Sequence, residues 1–85
     1  MEYRYVGSSG LRVSPICMGT MSFGTWSDKS ESFRILDTAF DRGVNFFDTA
    51  EIYPVPPTAE MAGLSEEIFG QWIKTKPRDA VLVAT

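Results

Sequence analysis

The chain has 85 residues, a formal net charge of −3, 44 % apolar residues and 13 % aromatic residues. That composition is globular rather than disordered, and its acidic balance leaves no basic footprint for nucleic acid. Histidine is absent and cysteine occurs once, at Cys17, which excludes Ser-His-Asp and Cys-His catalysis, a His-ligated metal site and an internal disulfide within these residues.

The N-terminus has no apolar signal core, and no run approaches the ~18 apolar residues of a membrane span. The cytoplasm is therefore the default location, and one cysteine suits a reducing compartment. Eighty-five residues make one small domain or a piece of a larger one.

In chain order, Tyr3-Arg4-Tyr5-Val6 is rich in strand formers. Gly7-Ser8-Ser9-Gly10 signals a turn and Leu11-Arg12-Val13 a return strand, so residues 3–13 read as a hairpin that Pro15 ends. Ile16 to Thr20 is a short apolar run expected to be a buried strand, with Cys17 a core residue. A loop with glycine and serine follows, Ser22 to Ser27, and carries Trp26.

Asp28 with Glu31 three residues on resembles a capping box, and Phe33, Ile35, Leu36, Ala39 and Phe40 form a stripe at helical spacing. Gly43 is placed to stop that helix, predicted over 29–42. A strand over 44–48 follows at once, and period two puts Val44, Phe46 and Asp48 on one face. Pro54-Val55-Pro56-Pro57 reads as a stiff extended loop. Ser65, Glu66 and Glu67 open a second helix over 65–75, with Leu64, Ile68, Phe69, Trp72 and Ile73 on its apolar face and Pro77 as its stop. A third strand covers 80–84. A hairpin followed by strand, helix, strand, helix and strand is a βαβαβ arrangement with parallel strands.

In such a fold the loops beyond the carboxyl ends of the strands hold the chemistry. Asp48 ends a strand there, and Tyr53 follows five residues later. An acid and a phenol so placed are candidate active-site groups. The local sequence also admits a plainer role, with Asp48 capping a turn and Tyr53 packed under a loop. Trp26 either lines an apolar substrate pocket or anchors its loop. No Gly-x-Gly-x-x-Gly exists, and Thr25 stands where a phosphate-binding loop with the Gly19 and Gly24 spacing needs lysine. Glu66 and Glu67 are adjacent on a helix and point apart, so they form a solvated first turn and not a catalytic pair.

Gly19-Thr20-Met21, then Gly43-Val44-Asn45-Phe46-Phe47-Asp48-Thr49-Ala50-Glu51-Ile52-Tyr53, then Ser65-Glu66-Glu67, resemble the N-terminal part of an aldo-keto reductase. The stretch Ala50 to Pro57 is most similar to the Tas-like branch. The resemblance covers essentially the whole chain and implies the N-terminal portion of a (β/α)8 TIM barrel, with residues 3–13 as the hairpin and 16–85 as the βαβαβ segment. It implies reduction of aldehydes and ketones to alcohols with NADPH. Tyr53 would be the general acid that protonates the carbonyl oxygen. Asp48 would hold the family's lysine and touch the nicotinamide ribose. Gly19, Thr20 and Met21 would approach the cofactor, and Trp26 and Tyr53 would meet the substrate, with no metal.

The departures from the family pattern bear on these roles. The family's lysine would follow immediately after Thr85, and its histidine lies beyond the third strand. A complete barrel takes roughly 250 residues. Two of the family's four catalytic groups are present, and Pro54 replaces the glycine most members place after the tyrosine. Three readings are open. The chain represents part of a reductase and is inactive by itself; or it is a non-catalytic α/β interaction or assembly module; or it is a cofactor-sensing protein on the same barrel. The partners implied are a small carbonyl compound, with neither nucleic acid nor membrane, and a second copy through the unpaired strand at 80–85.

Overall fold

The structure is a computed structural model that describes residues 2–50, 53–54 and 58–85. The expected extended loop 54–57 lies outside the described residues except for Pro54, as do Glu51 and Ile52.

Strands β1 (Arg4–Tyr5) and β2 (Arg12–Val13) pair antiparallel, with Arg4 opposite Val13 and Tyr5 opposite Arg12. Gly7 turns between them with φ of 55°, a left-handed value that glycine adopts without steric cost. Asn45 ties this hairpin to the rest of the chain. Its Oδ1 accepts from the Ser14 amide at 2.7 Å, its Nδ2 donates to the Arg12 carbonyl at 2.9 Å, and its own amide donates to Ser14 Oγ at 3.2 Å. Tyr3 adds a hydrogen bond from its hydroxyl to the Gly43 carbonyl at 2.7 Å.

Strands β3 (Met18–Gly19), β4 (Phe46–Asp48) and β5 (Leu82–Ala84) form a parallel sheet in that order. Met18 lies opposite Phe47 and Gly19 opposite Asp48; Phe46, Phe47 and Asp48 lie opposite Leu82, Val83 and Ala84. Alternation therefore gives the sheet two unlike faces. Met18, Phe47 and Val83 pack into the core beneath the helices. Gly19, Asp48 and Ala84, with Phe46 and Leu82, point the other way.

Helix α1 (Lys29–Asp41) starts as the capping signal predicts, with the Asp28 carboxylate accepting from the Glu31 amide at 2.8 Å. At its end the Gly43 amide donates to Phe40 and the Val44 amide to Ala39, with Gly43 at φ of 99°. This is a Schellman closure, which needs a left-handed residue at that point. Helix α2 (Leu64–Ile73) starts one residue earlier than expected, capped by Gly63 at φ of 85° and not by Ser65. The Ser65 hydroxyl instead donates to the Phe23 carbonyl at 2.7 Å. A long-range contact captures the polar group that the local pattern assigns to the helix start.

Both helices cover one face of the sheet. Trp72, Phe47, Leu36 and Val81 are fully buried there, with Phe23 and Phe69 beside them. The Trp72 ring lies 5.2 Å from Phe47, 5.6 Å from Phe69 and 6.0 Å from Phe40, separations at which aromatic pairs attract beyond their buried area.

The strands are shorter than the apolar runs imply. Pairing begins only at Phe46, so Val44 sits in the core with Phe47 and does not share the face of Asp48. Arg78–Ala80 form a 3₁₀ turn, which moves the start of the last strand from Ala80 to Leu82. Ile16 and Cys17 precede the paired part of β3 and are exposed, so Cys17 is not a core residue. Among the described residues no helix is long and apolar enough to cross a membrane.

Candidate active site

Asp48 is the last residue of β4, on the sheet face that carries no helix among the described residues. Its half-buried carboxylate accepts from the Tyr53 hydroxyl at 3.4 Å. The tyrosine backbone is held on both sides. Its amide donates to the Ala50 carbonyl at 3.1 Å, and its carbonyl accepts from the Gly63 amide at 3.2 Å. The Tyr53–Pro54 peptide is cis and Pro54 is buried. The phenol lies beside the carboxylate.

The peptide that follows Asp48 is fixed from two neighbouring strands. Its carbonyl accepts from the Thr20 amide at 3.1 Å and from the Thr20 hydroxyl at 2.9 Å. The Thr49 amide at its other end donates to the Ala84 carbonyl at 2.8 Å.

The other expected site residues fall into three environments. Gly19 lies directly opposite Asp48, and a side chain there would meet nothing within 4 Å. The face beside the carboxylate is therefore open. Thr20 is fully buried and offers no surface to a ligand, whereas Met21, the next residue, is 48 % exposed. Trp26 is 75 % exposed and stands on a closed loop. Gly24 donates to the Ser27 carbonyl at 2.7 Å, and the Trp26 and Ser27 amides both donate to Ser22. Phe23 anchors that loop in the core. No hydrogen bond or ring contact joins Trp26 to Asp48 or Tyr53 among the described residues.

Sequence reasoning missed Cys17 as a neighbour of the site. Partial withdrawal of its thiol from water and then the Asp48 charge push it up from its ordinary value of 9.0, so it stays a neutral thiol near neutral pH. Cys17 lies two residues before Gly19, near enough for the Asp48 charge to act on its thiol. Among the described residues no ion pair reaches Asp48, and no three acidic or cysteine side chains come together as a metal site. What the arrangement offers is an acceptor, a phenolic proton and an open rim at the carboxyl ends of parallel strands.

A parallel sheet with helices on one face, and an acid–phenol pair on the other at the strand ends, is a segment of a (β/α) barrel. Residues 15–85 match the sequence profile of the Aldo/keto reductase family, and the chain belongs to that family. It is 48 % identical to the uncharacterized oxidoreductase YrpG of Bacillus subtilis over 87 aligned positions, which cover all of this chain and 26 % of that protein. It is 38 % identical to protein tas of Escherichia coli, again over its full length and over 25 % of the relative. Among solved structures it resembles the aldo-keto reductase AKR11C1 of Bacillus halodurans in its holo form, with a TM-score of 0.77 and 34 % identity, across 95 % of this chain and 24 % of that one. The chain thus spans about a quarter of the length of these relatives and corresponds to the N-terminal part of a TIM barrel.

Proposed function

We propose that these residues form the first part of a carbonyl-reducing site that uses NADPH and converts aldehydes or ketones to alcohols when the barrel is complete. The observation that carries this reading is the Tyr53 hydroxyl 3.4 Å from the Asp48 carboxylate at the carboxyl ends of the parallel strands. The cofactor supplies the hydride. Gly19 and Met21 suit its approach, because a side chain at Gly19 would meet only open space and Met21 is exposed at the same strand end. Tyr53 delivers the proton to the carbonyl oxygen. A phenol ordinarily titrates near ~10, so proton delivery at neutral pH calls for a nearby cation, and the open face beside Asp48 gives it room. Trp26, exposed on a closed loop, suits the rim of an apolar substrate pocket. The single cysteine and the nicotinamide chemistry suit the cytoplasm.

The test compares the 85-residue chain with a chimera in which it replaces the matched quarter of the Bacillus halodurans reductase. NADPH oxidation is followed with a reactive aldehyde, beside a fluorescence titration of the cofactor. The chain alone is expected to show neither turnover nor tight cofactor binding. The chimera is expected to turn over, and Tyr53→Phe to lower its rate by roughly 10²–10⁴, the usual worth of a general acid. Turnover indifferent to Tyr53→Phe would overturn the assignment. A chain without catalysis in either setting, but with a specific protein partner, would favour the interaction-module reading.

A further inference from the structure

We infer that Thr20 is a positioning residue for Asp48, its hydroxyl spent on setting the direction of the catalytic carboxylate and not on holding a cofactor. The inference rests on the reading of Asp48 and Tyr53 as the working pair.

The Thr20 amide already supplies the hydrogen bond that the parallel ladder requires of the Asp48 carbonyl, at 3.1 Å. Its hydroxyl adds a second donor to the same oxygen at 2.9 Å. Sheet pairing does not need this second bond. A carbonyl with one donor is free to tilt about it, while one with two donors on separate lone pairs is fixed in direction. The Thr49 amide, bound to Ala84 at 2.8 Å, holds the far end of the same peptide plane. With both ends of that peptide held, the direction of the Asp48 Cα–Cβ bond is set; the carboxylate still turns about that bond, and its contact with the Tyr53 hydroxyl selects the rotamer. The Tyr53 hydroxyl depends on that direction, since its 3.4 Å contact is already at the outer limit of a hydrogen bond. A small swing of the aspartate would break it. Thr20 is fully buried, and among the described residues its hydroxyl bonds the Asp48 carbonyl.

The test is solution NMR on the chain with Thr20→Ser and Thr20→Val, each held at a concentration where sedimentation shows a monomer. The readouts are the nuclear Overhauser contact between the Tyr53 ring and the Asp48 methylene, the Asp48 side-chain rotamer couplings, and the pH dependence of Cys17 alkylation. Thr20→Val keeps size and the ladder amide but loses the hydroxyl. It is expected to lose the Tyr53–Asp48 contact, average the Asp48 rotamer and shift the thiol titration, because the carboxylate moves relative to Cys17. Thr20→Ser is expected to behave as the unmodified chain. A purely structural threonine would lower thermal stability in Thr20→Val and leave all three readouts unchanged, which would overturn the inference. A second measurement needs no variant. The Thr20 hydroxyl proton of the unmodified chain is expected to exchange slowly with water, and exchange as fast as a free hydroxyl would also refute the role. If the unmodified chain itself lacks the Tyr53–Asp48 contact, the working-pair reading fails. If that contact is present and survives Thr20→Val, the positioning role alone fails.

Discussion

The Trp72 indole nitrogen donates to the Asp37 carboxylate at 2.8 Å, joining the two helices across 35 residues of sequence. Lys76 approaches the same carboxylate at 3.0 Å and lies 5.0 Å from the centre of the Phe40 ring. The indole donor and then the lysine hold the Asp37 carboxyl below its ordinary value of 3.8. A carboxylate with a depressed folded value contributes stability above its unfolded value and loses it as pH falls through the folded one. The urea midpoint is therefore expected to drop below about pH 4. Asp37→Asn should lower the midpoint at neutral pH and flatten that acid limb. An acid limb unchanged in Asp37→Asn would show that other carboxylates govern it.

Trp72 also stands at the centre of the aromatic core. Trp72→Ala should cost about 3–5 kcal/mol, as large-to-small core changes do. A domain of this size has only about that much stability in total, so near-UV circular dichroism should show the fold lost. Trp72→Phe keeps an aromatic ring and should retain the fold, with the Asp37 hydrogen bond lost.

Glycines 19 and 24 should respond in opposite ways to alanine. Gly24 has φ of 108°, and a Cβ there would lie 2.6 Å from Leu64 Cδ2. Gly24→Ala should destabilise by about 1–3 kcal/mol through strain and overpacking, and Leu64→Ala in the same chain should recover part of the loss. Gly19→Ala meets open space and should leave thermal stability nearly unchanged, while narrowing the rim where the cofactor is proposed to approach.

Asn45→Ala should release the hairpin before the sheet. It leaves the Ser14 amide without its acceptor and the Arg12 carbonyl without its donor. A buried group so orphaned costs about 1–3 kcal/mol. Hydrogen exchange should speed up first at Ser14, while amides of β4 stay protected. Simultaneous loss of protection in both would show that the hairpin and sheet unfold as one unit.

Produced as these 85 residues, the chain should associate with itself. In β5 the Leu82 amide and the Ala84 carbonyl point to β4, so by alternation those of Val83 point outward at an edge with no partner among the described residues. Sedimentation should show mass rising with concentration. A monomer at all concentrations would refute this.

The parts of the fold legible in sequence are those set by local chemistry. Asp28 and Gly43 mark the ends of α1 correctly because capping and left-handed closure involve neighbouring residues. The order and parallel direction of the strands followed from the alternation of apolar strands and helices, and the acid–phenol pair from its place at a strand end. What escaped was decided at long range. Ser65 is drawn from the helix start to Phe23, Thr20 to Asp48, and Trp72 to Asp37, each across more than a helix of sequence. Cys17 was misplaced because an apolar run says that a segment is strand-like without saying where pairing begins.

The alternation of faces along β4 has a consequence for variation. Phe47 serves the core, while Phe46 and Asp48 face the open side. Odd and even positions of one strand thus answer to separate demands, one for holding the molecule together and one for shaping the open side. Substitutions at 17, 19 and 46 can be sampled in combination with little penalty from the aromatic core. Such a partition lets the open face be altered without the scaffold first being made more robust.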